Sequence, residues 1–194
     1  MKGKKKNIGF VGAGNMAEAL IKGLISSGMF GSENISVSDV SRERLTHIKS
    51  AYKIEPAPGN RELAENADII VLAVKPAHIL KVADEIKAYI NAKKILISIA
   101  AGVKTSSISK MLKKKAKIVR VMPNTPALVL AGASVLYCGA ALGKDESEYV
   151  RRMFDSVGIA HIVEEEELLD AVTGLSGSGR AFVSVFIEAL SDRG

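Results

Sequence analysis

Short apolar runs alternate with amphipathic segments along the first 164 residues, and this alternation leaves few folds open to the chain. The runs lie at 7–11, 34–39, 67–74, 94–102, 117–123, 133–139 and 160–164. Between them, apolar residues recur at helical spacing over segments 15–28, 41–52, 76–90, 106–115 and 145–158. Strands that alternate with helices through short connections are typical of a parallel sheet. The sequence therefore predicts an α/β fold with a doubly wound parallel sheet.

The pattern changes after residue 163. Segment 164–194 shows no further strand, and its turn residues at 176–179 precede an apolar run with helical spacing. We expect one α/β domain over 1–163 and the beginning of an all-α domain over 164–194.

Composition indicates a globular protein with a sizeable core. The chain has 194 residues, of which 47% are apolar and 25% are charged. Cys138 is the single cysteine, so an internal disulfide is impossible and a reducing, cytoplasmic location is expected. Without a chemical role, Cys138 is expected to be a small buried hydrophobic residue.

Membrane, nucleic-acid and metal partners find little support in the sequence. No apolar stretch reaches the roughly 20 residues of a membrane span. The net charge is +6, but the clusters at 4–6 and 113–115 have no interleaved aromatic residues, which argues against nucleic acid. His47, His78 and His161 are isolated from other ligands, so we expect no metal.

A glycine-rich loop follows the first apolar run. Gly12 begins a G-x-G-x-x-A pattern that ends at Ala17, immediately before the first helix. Gly12 permits the tight turn, Gly14 lets a pyrophosphate approach the backbone, and Ala17 allows close packing of helix and strand. Amides at the helix N-terminus would bind the phosphate charge. This context makes the predicted sheet Rossmann-like and predicts that the domain over 1–163 binds a dinucleotide.

The type of dinucleotide stays open at this level. Asp39 ends the second apolar run, where an acidic residue would bind the ribose 2′-hydroxyl of NAD. Arg42 and Arg44 follow closely and could neutralise the 2′-phosphate of NADP, and Asp39 could equally be a turn residue. We therefore expect acceptance of NAD or NADP.

Six blocks in order resemble one enzyme family. They are "IGFVGAGNMAEALIKGL", "AVKP", "SIAAGV", "RVMPNTPALV", "GLSGSG" and "FIEAL", and the similarity around them runs over about 7–191. Together they are similar to pyrroline-5-carboxylate reductases. The resemblance implies hydride transfer from NAD(P)H to the C=N bond of 1-pyrroline-5-carboxylate, which gives L-proline. A relative with a different substrate and a non-catalytic nucleotide-binding module of the same ancestry remain alternatives.

The resemblance also implies site residues. Those expected to contact the cofactor are Val11, Gly12, Ala13, Gly14, Asn15, Met16, Asp39, Asn60, Ala73, Val74, Lys75, Pro76, Ala100 and Ala101. Those expected near the substrate are Asn124, Thr125, Glu166, Ser176 and Ser178. Purely structural roles are the alternatives for three of these residues. Lys75 could be an extended residue before proline, Asn60 a cap, and Glu166 part of a solvated acidic run.

Two departures from the family pattern stand out. Arg180 occupies the position after "SGSG" where the family usually has proline, which is favourable at a helix start but not required. The family continues beyond "EALSDRG" through a helical domain that joins two subunits and carries the implied proton donor, so no catalytic residue is assigned here. We therefore expect a truncated chain whose full-length form is a homo-oligomer.

Overall fold

The fold is a seven-stranded sheet with helices on both faces. The computed structural model describes residues 6–113 and 116–192, apart from the side chains of 177–181. The strands are β1 Ile8–Val11, β2 Ile35–Ser38, β3 Ile69–Leu72, β4 Ile95–Ser98, β5 Lys117–Pro123, β6 Gly132–Cys138 and β7 Gly158–Val163. Their order is β2-β1-β3-β4-β5-β6-β7. The Rossmann-like class predicted from the sequence is confirmed.

Helices connect most of the strands. They are α1 Asn15–Ser26, α2 Arg42–Tyr52, α3 Asn60–Asn66, α4 Ile79–Ile86, α5 Thr105–Leu112, α6 Lys144–Asp155, α7 Leu168–Val172 and α8 Gly179–Ser191. The sequence analysis missed α3, which is short and largely polar. It also extended α4 too far, because residues 87–89 form a 3-10 turn instead.

The core has two halves, one on each face of the sheet. Ile69 and Val71 of β3 belong to the half that also contains residues of α1, α2 and α6. Ile70 and Leu72 of the same strand belong to the half built with α3, α4 and α5. Side chains alternate between faces along a strand, so a strand covered on both sides reads as an unbroken apolar run.

One strand departs from the predicted parallel arrangement. β6 runs antiparallel to β5, with Val121 opposite Leu136, whereas β7 is again parallel to β6. The segment from Asn124 to Ala131 joins β5 to β6 and forms a 3-10 turn over Thr125–Val129. A parallel crossover needs a dozen or more residues, so this short link returns the chain antiparallel.

Residues 168–191 are helical, as predicted for the last segment of the chain. α7 continues through a π-helical stretch, Thr173–Ser178, into α8. Phe182, Phe186 and Leu190 of α8 are exposed. No helix in the described ranges has both the length and the apolarity required to cross a membrane. The Arg180 side chain lies outside the described residues.

Lys94 fixes the end of α3. Its Nζ donates to the carbonyl oxygens of Ala64, Glu65 and Ala67 at 2.7, 2.8 and 2.6 Å. These carbonyls belong to the last turn of the helix and its cap, where a cation complements the helix dipole. Burial lowers the pKa of Lys94, although Asp68 and Glu65 oppose that shift.

We predict that Lys94→Met destabilises the protein by about 1–2 kcal/mol, because three carbonyls lose a charged donor. Urea unfolding measures this loss. Lys93→Met is the matched control, since its side chain is exposed, and it should change the free energy of unfolding by less than about 0.5 kcal/mol. Equal effects of the two substitutions would contradict the capping role.

Candidate active site

The predicted cofactor residues converge on the edge of the sheet where the parallel strands end. β1 lies between β2 and β3, and the chain crosses to β2 on one side of β1 before it returns to β3 on the other. Loops after β1 and β3 therefore diverge, and a crevice forms between them. The glycine loop follows β1 at this point.

The two glycines of the loop differ in what the fold requires of them. Gly12 has φ +104°, and a Cβ there would lie 2.6 Å from the carbonyl oxygen of Ala73. A Cβ on Gly14 would meet no protein atom within 4 Å. The fold thus needs a glycine at Gly12, whereas the space over Gly14 is open to a ligand.

Free amides face this open space. Gly14 caps α1, and within the described part of the chain the amides of Gly14, Asn15 and Met16 find no acceptor. The first amides of a helix lack intrahelical partners and carry its positive dipole end. Pyrophosphate is a ligand that such a site accommodates.

Side chains hold both backbone groups of Ala13 in this loop. Asp39 accepts from the Ala13 amide at 2.6 Å and from the Ser41 amide at 2.8 Å. Arg44 Nε donates to the Ala13 carbonyl oxygen at 2.8 Å. Asp39 therefore shapes the loop, while its contact with the ribose stays a prediction.

Three side chains of α2 form hydrogen bonds with the carboxylate of Glu18 in α1. Arg44 donates to one of its carboxylate oxygens at 2.5 Å, and His47 and Tyr52 contact the other at 2.7 and 3.1 Å. Burial works against ionisation of Glu18, but hydrogen bonds with His47, Arg44 and Tyr52 outweigh it and hold its pKa below the usual range. Arg44, which the sequence offered as a phosphate ligand, is thus already engaged.

Asn60 ties three elements together at the same edge. It is the first residue of α3, where its Oδ1 accepts from Ser38 of β2 at 2.7 Å. Its Nδ2 donates to Glu85 of α4 at 2.9 Å. The structure brings Asn60 beside the end of β2, and a cofactor contact there stays a prediction.

The remaining cofactor candidates follow β3 and β4. The Ala73 amide donates to Val11 across the sheet at 2.8 Å, and Val74 and Lys75 continue along the edge. Lys75 is exposed, and Pro76 begins the 3-10 turn Pro76–His78. Ala100, which is buried, and Ala101 come directly after β4.

Asn124 joins the sheet to the helical segment. Its Nδ2 donates to Ser176 Oγ at 2.9 Å, and its Oδ1 accepts from the Ala133 amide at 2.9 Å. The turn that starts at Thr125 packs against α1, the helix of the glycine loop. Two predicted substrate residues are thus together near the predicted cofactor site. The Ser178 side chain lies outside the described residues.

Glu166 has protein partners for both of its oxygens. One oxygen accepts from the Thr105 amide at 2.7 Å, and the other accepts from the Thr105 hydroxyl at 2.8 Å. Arg120 of β5 contacts the first oxygen at 3.5 Å and Asp170 at 2.6 Å. Its hydrogen bond to Arg120 holds the pKa of Asp170 below the usual range. Contact between Glu166 and substrate stays a prediction.

Comparison with known proteins points to one family. Residues 166–194 match the family model "Pyrroline-5-carboxylate reductase dimerisation", and residues 7–102 match "NADP oxidoreductase coenzyme F420-dependent". The pyrroline-5-carboxylate reductase of Methanosarcina acetivorans is 39% identical over 97% of this chain and 70% of its own length. That of Escherichia coli is 38% identical over 97% of this chain and 70% of its own length. This chain belongs to the pyrroline-5-carboxylate reductase family.

Solved structures of the family agree with this assignment. The pyrroline-5-carboxylate reductase of Coxiella burnetii has a TM-score of 0.90 at 37% identity, covering 98% of this chain and 70% of that one. The Plasmodium falciparum enzyme, solved with NADP bound, has a TM-score of 0.85 at 35% identity, covering 97% of this chain and 68% of that one.

Sequence reasoning missed the partners that hold this reductase-family site in place. Arg120 offered a signal, because a charged residue inside the apolar run 117–123 must find a partner if it is buried. It is 2% exposed. Glu18 and Thr105 gave no comparable signal, since an acidic residue in a first helical turn and a threonine at a helix start are ordinary on any surface.

We predict that Gly14→Val removes dinucleotide binding and leaves the fold intact, because its side chain would fill only the open space. Calorimetric titration with NADH measures the loss of binding, and thermal unfolding shows whether the fold is intact. Gly12→Ala should instead destabilise the protein by about 1–3 kcal/mol, because it strains the backbone. Unchanged NADH affinity in Gly14→Val would contradict the site.

We also predict that Glu166→Ala lowers the free energy of unfolding by about 2–3 kcal/mol, because Thr105 loses its acceptor and buried Arg120 loses a carboxylate. Urea unfolding measures the change. Glu165→Ala is the control, since Glu165 is exposed and adjacent. An equal, small effect of both substitutions would show that this contact does not hold α7.

Proposed function

We propose that this chain is an NAD(P)H-dependent pyrroline-5-carboxylate reductase, which reduces the C=N bond of 1-pyrroline-5-carboxylate to give L-proline. One observation carries the proposal. The open space at Gly14 and the Asn124–Ser176 contact lie at the same edge of the sheet, which supports neighbouring sites for a cofactor and a substrate. Family membership over nearly the whole chain supports the same reaction.

The pyrophosphate of the dinucleotide would bind at residues 11–16. Gly14 would give it access to the amides at the start of α1, and Asp39 and Arg44 keep the backbone of Ala13 oriented before it arrives. A preorganised loop binds at a lower entropic cost than one that must order on binding. Asn60 and Asp39 would contact the adenosine half.

The nicotinamide half would lie along residues 73–76 and 100–101. When bound, the reduced nicotinamide supplies the hydride, and the protein supplies alignment. The small side chains of Ala73, Ala100 and Ala101 would suit a flat ring beside the ends of β3 and β4. Positioning of the two reacting carbons would then contribute most of the rate.

The substrate would lie between this edge and the segment that begins at Glu166. Asn124, Thr125, Ser176 and Ser178 would line its polar side, and amides near a helix start are suitable donors for its carboxylate. We assign no proton donor among the described residues. The match to a dimerisation family supports a homo-oligomer, and the single cysteine, Cys138, supports a cytoplasmic location.

The proposal is tested with the purified 194-residue protein. NADH and NADPH are titrated by calorimetry, and nicotinamide absorbance is then followed after addition of 1-pyrroline-5-carboxylate. We expect saturable binding and loss of absorbance that requires the substrate. Binding without turnover would contradict the reductase and favour a nucleotide-binding module, and absence of binding would contradict both.

A further inference from the structure

We propose that Glu18 makes this chain prefer NADH over NADPH, because it holds Arg44 in an ion pair and so withdraws the cation that a 2′-phosphate would need. Glu18 then acts as a positioning residue for specificity, through Arg44. The inference rests on the proposed dinucleotide binding but concerns a choice that the proposed function leaves open.

Arg44 lies beside the place where the two cofactors differ. That difference is at the adenosine ribose, which binds near the end of β2 in folds of this kind. Asp39 stands at this end, and its carboxylate binds the amide of Ala13. Arg44 Nε donates to the carbonyl oxygen of the same residue, so the guanidinium and the carboxylate hold the two backbone groups of one residue.

Glu18 neutralises the charge of Arg44 in this arrangement. The ion pair between them is partly sheltered, with side chains 29% and 22% exposed. His47 and Tyr52 also contact the Glu18 carboxylate, so it is fixed between α1 and α2. The carboxylate neutralises the charge of the guanidinium, and the backbone carbonyl occupies its Nε donor. Arg44 therefore binds a phosphate more weakly than a free guanidinium would.

The charge balance follows from these contacts. Asp39 and Glu18 contribute two negative charges beside the ribose, and Arg44 contributes one positive charge. A 2′-phosphate would add about two more negative charges, whereas a 2′-hydroxyl adds none and can donate to Asp39. Arg42, the other cation of this region, is exposed at the first position of α2 and could bind the phosphate in its place.

Glu18→Gln is the decisive substitution. Glutamine keeps the length and an acceptor oxygen for His47 and Tyr52 but removes the charge that holds Arg44. Calorimetry gives the affinities of NADH and NADPH, and the ratio of the two is the readout. We expect the wild-type protein to bind NADH more tightly and Glu18→Gln to shift the ratio toward NADPH about tenfold, or about 1.4 kcal/mol.

Two further variants separate this mechanism from simpler ones. Glu43→Gln removes a carboxylate from the exposed side of α2 and should leave the ratio within about twofold of wild type, because exposed charges are screened. Glu18→Gln combined with Arg44→Met should abolish most of the shift. The ratio distinguishes specificity from structure, since a loosened loop would weaken both cofactors together.

Several outcomes would overturn the inference. A wild-type preference for NADPH, an unchanged ratio in Glu18→Gln, or an equal loss of both affinities would each contradict it. Persistence of the shift without Arg44 would assign the effect to Arg42 or to net charge. If the wild-type protein bound neither cofactor, the proposed function would fail first, so the two failures are distinguishable.

Discussion

The fixed backbone of Ala13 is the constraint on which the proposed cofactor site depends. Asp39 holds its amide and Arg44 holds its carbonyl, and both partners come from the segment just after β2. The loop after β1 is therefore oriented by the neighbouring strand. Among the described residues, its amides at Gly14, Asn15 and Met16 have no protein acceptor, so a pyrophosphate would bind them without the ordering cost that a flexible loop would incur.

A second set of contacts sets where the helical segment begins. Arg120 in the middle of β5 reaches Glu166 and Asp170, and Asn124 after the same strand reaches Ser176. One strand thus anchors both ends of the stretch 166–176. Because the turn after Asn124 packs on α1, a shift of this stretch would also disturb the helix that carries the glycine loop. Burial of Arg120 makes the arrangement stringent, since a buried charge without partners is costly.

The sequence predicted the elements whose signal is local. Runs such as 67–74 are apolar because both faces of β3 are covered. The glycine loop can be recognised in the sequence because its positive φ at Gly12 requires a glycine there. It missed α3, where polar residues surround only Leu63 and Ala64 as buried anchors. The predicted parallel arrangement was wrong for β6, because the length of the link that precedes a strand, and not the composition of the strand, decides its direction.

The roles of charged residues were the least predictable part of the site. Asp39 and Arg44 are near the expected position of the ribose, but the sequence could not show that they bind backbone groups. Glu166 lies in an acidic run that looks solvated, yet its two oxygens face Thr105 and Arg120. Such pairings join residues far apart in the chain, and spacing carries no information on them.

The most direct test of the central claim is an amide-resolved NMR titration of the 194-residue protein with NADH. If the dinucleotide binds the preformed loop, the amide resonances of Gly14, Asn15 and Met16 will shift most, because these groups gain acceptors. The Ala13 amide will shift less, because Asp39 already holds it. Shifts confined to the opposite edge of the sheet, or a large change at Ala13 with none at Gly14, would contradict a preformed phosphate site.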